Sequence, residues 1–151
     1  MTVTIERAGT DEATFVDVFS LLVEEHGEVA CARLNVEKAS RHAYTVLSLG
    51  MTLVARNESG EAVGVLGLKE VTFWYSDETA LFDAFFYVKP AYRRQHVGVA
   101  LMQAAQAVAA DKDMLLFIMT ANANRRPKKT AMTLMAQMAG FMPAGYLLKL
   151  R

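Results

Sequence analysis

With 151 residues, 53% of them hydrophobic, the chain is long enough to form one domain, 1–151, with a sizeable core, and too apolar to remain disordered. Sixteen Lys+Arg balance sixteen Asp+Glu, which argues against a dedicated nucleic-acid binder, and a single cysteine excludes an intrachain disulfide and favours a cytoplasmic setting. Met1 to Asp11 carries no apolar signal region, and the longest apolar run, His96 to Ala110, falls short of the about 20 residues a membrane span requires.

Thr2 to Arg7 alternates and reads as a first strand. Asp11 can cap a helix in which Phe15, Val16, Phe19, Leu22 and Val23 recur at helical spacing, with Gly27 as a natural stop. Asn35 caps a second helix, whose stripe is Val36, Ala39, Ala43, Val46 and Leu47 and which Gly50 closes. Three strands follow: Met51 to Arg56, Ala62 to Trp74 with a bend at Gly64 or Gly67, and Ala80 to Val88. The short turns between them imply antiparallel pairing. A helix from Gln95 to Ala110, with Val97, Leu101, Ala104, Ala105 and Val108 inward, crosses over to a strand at Met114 to Met119, and such a crossover is parallel and right-handed. A polar loop at Asn122 to Arg126, a helix opened by Pro127 and ended by Gly140, and a strand from Gly145 to Leu150 complete the order. The chain is therefore α/β, with a mixed, mostly antiparallel sheet flanked by helices.

The stretch from Phe85 to Leu101 carries the chemistry. An aromatic, β-branched strand ends at Pro90, a basic turn follows, and an alanine-rich helix begins. The free N–H groups and the positive dipole end of that helix make a site for phosphate. Pro90-x-Tyr92-Arg93-Arg94-Gln95-His96-Val97-Gly98-x-Ala100-Leu101 resembles the acetyl-CoA signature of the GNAT acyltransferases, Pro-x-Tyr-Arg-x-x-Gly-x-Gly followed by a helix. It departs from it at His96, where that family carries its first glycine. A register starting at Gln95 also meets a looser form of the pattern, but Pro90 and Tyr92 favour the first. The element order is similar to the GNAT fold along the whole chain, and Met138-Ala139-Gly140-Phe141 resembles the family's closing Gly-Phe. The short build and the Gly-Tyr-x-x-Lys-x ending also resemble small acetyltransferase-like proteins of phage genomes.

The resemblance implies a single-domain GNAT-like fold with a parallel β-α-β unit at the cofactor site, acetyl-CoA as cosubstrate and transfer of its acetyl group to an amine, of a small molecule or a protein. The alternative it leaves is a non-catalytic acyl-CoA-binding or interaction module of the same fold. By resemblance, the N–H groups of Arg93, Arg94, Gln95, His96, Val97, Gly98 and Val99 hold the diphosphate, the arginines add charge, and Phe86, Tyr87 and Val88 pair with the pantetheine arm. An N–H near Val88 stabilises the oxyanion. A lysine-type amine, of pKa about 10.4, must lose a proton before it attacks. Asp83 is the first candidate base and Glu70 the second; Asp83 facing solvent or binding substrate charge is the plainer reading. The family's helix tyrosine, a proton donor, falls on Ala136, so Tyr146 is the substitute candidate, with ring packing as its other role.

Where glycine serves a positive φ, histidine at position 96 is strained; where it serves close approach, the imidazole must swing aside. His26 and His42 have no partners at metal spacing and Cys31 no nucleophile setting, so no metal site is expected. Arg125, Arg126, Lys128 and Lys129 are a solvated cluster or a contact for the cofactor's 3′-phosphate or an acidic partner. Trp74 and Tyr75 are core by default, otherwise an acceptor pocket or an interface. A homodimer is the remaining partner expectation; membrane and nucleic acid are not expected.

Overall fold

The computed structural model describes residues 2–29, 32–119 and 136–142. Five strands run in the order β1-β2-β3-β4-β5: β1 (Thr4–Arg7), β2 (Thr52–Arg56), β3 (Ala62–Thr72), β4 (Thr79–Val88) and β5 (Leu116–Phe117). The first four pair antiparallel, β2–β3 and β3–β4 across short turns and β1–β2 across the two helices, and β4 pairs with β5 parallel across a helical crossover. Helices α1 (Glu12–Val29) and α2 (Val36–Ser48) precede β2, and a 3₁₀ segment (Pro90–Gln95) with α3 (Val97–Asp111) connects β4 to β5.

Two cores sandwich the sheet. On one face, Val18 and Leu21 of α1 and Val46 and Leu47 of α2 pack on Val54, Val65, Phe85 and Tyr87. On the other, Val97, Leu101, Met102, Ala105 and Val108 of α3 pack on Leu53, Val63, Leu66, Leu81, Phe86 and Val88. Alternation along β4 therefore sends Phe85 and Tyr87 to the α1 side and Phe86 and Val88 to the α3 side.

The expected helix caps are present. Asp11 Oδ2 accepts the Thr14 N–H at 3.0 Å, and Asn35 Oδ1 accepts the Lys38 N–H at 2.9 Å. Gly50 and Gly140 hold φ of 74° and 88° after their helices. Around Gly140, N–H bonds from Gly140 to Gln137 O and from Phe141 to Ala136 O close a Schellman motif.

Several boundaries move. Gly27 does not stop α1, which continues to Val29: a lone glycine costs a helix only about 1 kcal/mol. The fully buried face of α1 is Thr14, Val18 and Leu21; of the expected stripe, Phe15 and Leu22 pack partly buried against that core, whereas Val16 and Val23 are exposed. α3 begins at Val97 rather than Gln95, because the chain up to Gln95 is wound as 3₁₀. β5 has two ladder residues, not the six of Met114 to Met119. β3 ends at Thr72, which leaves Trp74 and Tyr75 on the hairpin tip with exposures of 95% and 69%, outside the core. The loop at Asn122 to Arg126, the Pro127 helix start, the strand from Gly145 to Leu150, Cys31, Tyr146 and the cluster Arg125, Arg126, Lys128 and Lys129 lie outside the described residues.

Candidate active site

β4 is the strand on which the candidate site is built, and among the described residues its edge toward β5 is unpaired over much of its length. The parallel ladder holds Leu81 against Leu116 and Phe82 against Phe117, with the Leu81 N–H on Leu115 O at 2.8 Å. Beyond Phe82, no residue of β4 has a ladder partner on this side among the described residues. On the opposite side the register slips between Gly67, paired with Phe85, and Leu68, paired with Asp83, so Ala84 is an extra, bulged residue. The Phe85 ring lies over Gly67, where a Cβ would sit 2.4 Å from a ring carbon; only glycine admits this approach.

The polarity of the open edge follows from one bond. Lys89 N–H donates to Val63 O at 2.9 Å, and antiparallel strands turn alternate residues toward the partner. Tyr87 therefore faces β3 with its main-chain groups, while Phe86 and Val88 present theirs to the open edge. The Val88 carbonyl is taken by Arg93 Nε at 2.9 Å, which leaves the Val88 N–H directed into the opening. Such a donor, aimed where negative charge develops, is worth about 10²–10³ in rate.

Immediately after β4, Tyr92 N–H bonds to Lys89 O at 2.9 Å, and the Tyr92 hydroxyl accepts from Asn57 Nδ2 at 3.0 Å, pinning the turn to the β2–β3 loop. His96 then takes φ 59° and ψ 21°, the left-handed region, and gives no side-chain cap to α3. The first intrahelical bond runs from Ala100 N–H to His96 O at 3.0 Å. The N–H groups of Val97, Gly98 and Val99 stand ahead of it at the positive end of the helix, and no acidic residue occupies that first turn. A helix start of this kind favours a bound anion, and this candidate cradle adjoins the unpaired edge of β4.

The two arginines divide their work. Arg93 is anchored: besides Val88 O, it meets Glu28 of α1 in an ion pair and lies 5.5 Å from the Tyr87 ring centroid. It braces the end of β4 rather than standing free over the cradle. Arg94 is exposed and enters no ion pair among the described residues. Gln95 Nε2 reaches back to Ala91 O at 3.3 Å.

The carboxylates also divide. Glu70, the second candidate base, is exposed and paired with Lys112 Nζ at 3.0 Å. Glu24 lies 3.7 Å from Lys89 Nζ, and Glu28 is on Arg93. Asp83 accepts the Met119 N–H on Oδ1 at 2.7 Å, at the point where β4 and β5 part. Burial raises its pKa, opposed by that hydrogen bond and by Lys69.

Glu25 is the residue that sequence reasoning missed. It lies on the same face of α1 as Thr14, Val18 and Leu21, spaced by fours and threes, and is half-buried with no ion-pair partner among the described residues. Burial, and next the charges of Asp83 and Glu28, push its pKa up to about 7. Glu28, on the last turn of α1, pairs with Arg93, whose guanidinium lies 5.5 Å from the Tyr87 ring centroid, so α1 ends close to the end of β4. The signal was available: continuing the buried stripe by four residues from Leu21 lands on Glu25.

The sequence model of the acetyltransferase (GNAT) family matches residues 15–130, a span that includes both the β4 edge and the cradle. The chain belongs to the GNAT acetyltransferase family. Solved structures of similar fold include the aminoglycoside 6′-N-acetyltransferase AAC(6′)-Ih of Acinetobacter baumannii, at 14% identity over 99% of this chain and 97% of that one, with TM-score 0.72. AAC(6′)-Iy in complex with a CoA bisubstrate analogue is 15% identical over 100% of this chain and 98% of that one, with TM-score 0.75. An integron cassette protein from a salt-marsh metagenome is 19% identical over 97% of this chain and 88% of that one, with TM-score 0.74. No curated protein sequence matches significantly. As a GNAT enzyme the protein is an acetyl-CoA-dependent N-acetyltransferase acting on an amine. Its open strand edge and uncapped helix start fit that cosubstrate. Among the described residues, no helix is long and apolar enough to cross a membrane.

Proposed function

We propose that this GNAT protein acetylates a primary amine of a small, multiply cationic acceptor, and that Glu25 takes the proton from the incoming ammonium. The observation that carries the reading is Glu25 itself: a half-buried carboxylate with no ion-pair partner among the described residues, its pKa pushed up by burial to about 7, on the face of α1 turned to the sheet. A general base works best when its pKa lies near the working pH. A carboxylate buried without a counter-ion is costly, and a cationic acceptor would relieve that cost. The names of AAC(6′)-Ih and AAC(6′)-Iy, which describe acetylation of polycationic aminoglycosides, point in the same direction.

Acetyl-CoA, once bound, supplies an activated acyl thioester. The amides of Val97, Gly98 and Val99 bind its diphosphate, Arg94 adds charge, and the main-chain groups of Phe86 and Val88 align the arm along β4. The Val88 N–H faces the oxyanion. Glu25 accepts one proton from the ammonium and releases it to water. With alanine at position 136, no tyrosine stands where the family donor would be, and the leaving thiolate can be reprotonated by the attacking nitrogen or by water.

The experiment is thiol release across a panel of aminoglycosides, polyamines and peptide α-amines, as a function of pH. The parent should favour polycationic small amines, with kcat/KM rising along an acidic limb near pH 7. Glu25→Gln should lower kcat/KM by about 10²-fold or more and erase that limb. An unchanged limb in Glu25→Gln would remove Glu25 as base, and preference for peptide amines would remove the small acceptor.

A further inference from the structure

The place where β4 and β5 separate is occupied by one side chain. In a parallel ladder, a residue facing position j donates its N–H to the carbonyl of j−1 and accepts on its own carbonyl from the N–H of j+1. Leu81 faces Leu116 and donates to Leu115 O, in keeping with that pattern. The next bonding residue on this edge of β4 is Asp83, opposite position 118. Continued pairing would bring the Met119 N–H to the Asp83 main-chain carbonyl. In the structure, the same N–H goes to the same residue, but to its side chain: Asp83 Oδ1 accepts it at 2.7 Å.

We propose that Asp83 is a positioning residue whose carboxylate intercepts the Met119 N–H, holds β5 a side chain's length from β4, and so keeps the Phe86–Val88 edge open for the pantetheine arm of acetyl-CoA. The inference rests on the acetyltransferase reading and adds a role that the general base does not have.

Three further observations agree. The β-bulge at Ala84 follows Asp83 directly, so the strand bends away on one side just where the carboxylate spaces it on the other. Gly67, which admits the Phe85 ring, fixes that bend. Pairing also stops here abruptly: Phe82 and Phe117 are still stacked at 5.0 Å between ring centroids, one residue before the break. Without an acceptor on the Asp83 side chain, Met119 N–H has a main-chain carbonyl within the natural ladder to turn to, and the two strands would zip further along.

Asp83→Asn and Asp83→Ala separate the possibilities, because asparagine keeps an Oδ1 acceptor and alanine does not. Acetyl-CoA affinity is measured by calorimetry, KM for acetyl-CoA and kcat by thiol release, and Met119 amide protection by hydrogen exchange on the full-length protein. Asp83→Asn should keep the parent's acetyl-CoA affinity and the same Met119 environment. Asp83→Ala should weaken acetyl-CoA by about tenfold, with the loss in KM for acetyl-CoA rather than in kcat, and change Met119 exchange. Loss of the aspartate charge in both variants should shift the acidic limb of the pH profile downward equally, since it relieves Glu25. Asparagine as weak as alanine, or alanine as tight as the parent, would overturn the inference alone. Failure of the parent to bind acetyl-CoA would overturn it together with the reading beneath it.

Discussion

His96 stands at φ 59°, ψ 21° at the mouth of α3, a conformation that costs a non-glycine residue on the order of 1 kcal/mol. Histidine is among the residues that tolerate it best, and its ring is exposed at the start of α3. The departure from the family signature is thus a backbone matter: the turn that glycine normally makes is made here by histidine. His96→Gly should raise the melting temperature by about 2–4 °C, and His96→Val, β-branched, should lower it, both read by thermal unfolding. Glu25 gives the second prediction at this scale. Its native pKa of about 7 lies above the ordinary glutamate value of 4.5, so its ionisation opposes folding. Relative to the neutral form, stability is fully present below pH about 4.5 and is lost as pH rises through 7. Glu25→Gln should therefore be more stable than the parent by roughly 1–3 kcal/mol at pH 8, with the gap closing by pH about 4.5, measured by denaturant unfolding across that range.

At the scale of elements, the caps, the glycine stops after α2 and at Gly140, and the antiparallel run were legible because each rests on local rules that tertiary context left in force there, as it did not at Gly27. The inward face of α1 was not. Phe15, Phe19 and Leu22 are large and apolar, and a stripe drawn through them satisfies helical spacing. The centre of that face is Thr14, Val18 and Leu21, with Phe15 and Leu22 at its margin, while Phe15 and Phe19 stack on each other at 5.7 Å and Phe15 meets Tyr44 of α2 edge-on. Two helices packed side by side need an apolar seam of their own, and the aromatics serve that seam. The error hid Glu25, whose place depends on which stripe is buried. The opening beside β4 was expected from resemblance, but the atom that maintains it is a side-chain-to-backbone bond across 36 residues, which no periodicity reports. The bulge was half legible, as a bend at Gly64 or Gly67. Gly67→Ala would drive a methyl into the Phe85 ring at 2.4 Å, whereas at Gly64 the nearest contact is the Leu101 Cδ1 at 3.2 Å. Gly67→Ala should cost about 1–3 kcal/mol and weaken acetyl-CoA, with Gly64→Ala the milder of the two, as thermal unfolding and calorimetry would show.

Across the whole molecule, β4 is the member shared by every functional part. Its α1 side carries Phe85 and Tyr87, packed with Val18 and Leu21 of the helix that bears Glu25; its α3 side carries Phe86 and Val88 beneath α3. Two ion pairs tie the last turns of α1 to the segment that follows the strand, Glu24 with Lys89 and Glu28 with Arg93. The helix bearing the proposed base is thereby joined to the turn bearing the proposed diphosphate site, and Arg93 passes the connection on to the carbonyl of Val88, the residue whose N–H is proposed to face the oxyanion. An anion held by the cradle would stiffen this assembly by binding the folded state alone. At acetyl-CoA a hundredfold above its Kd, that linkage contributes about 2.7 kcal/mol, a rise of about 5–10 °C in melting temperature for a chain of this size. Glu28→Gln should keep most of the rise, since it leaves the cradle amides in place, but should lower the ligand-free melting point only slightly, because half-exposed pairs contribute about 0–1 kcal/mol. A parent protein whose melting temperature does not move at saturating acetyl-CoA would contradict the role assigned to the amides of Val97 to Val99. A rise abolished by Glu28→Gln would mean that the cradle is assembled by the α1 contact rather than by the helix start itself.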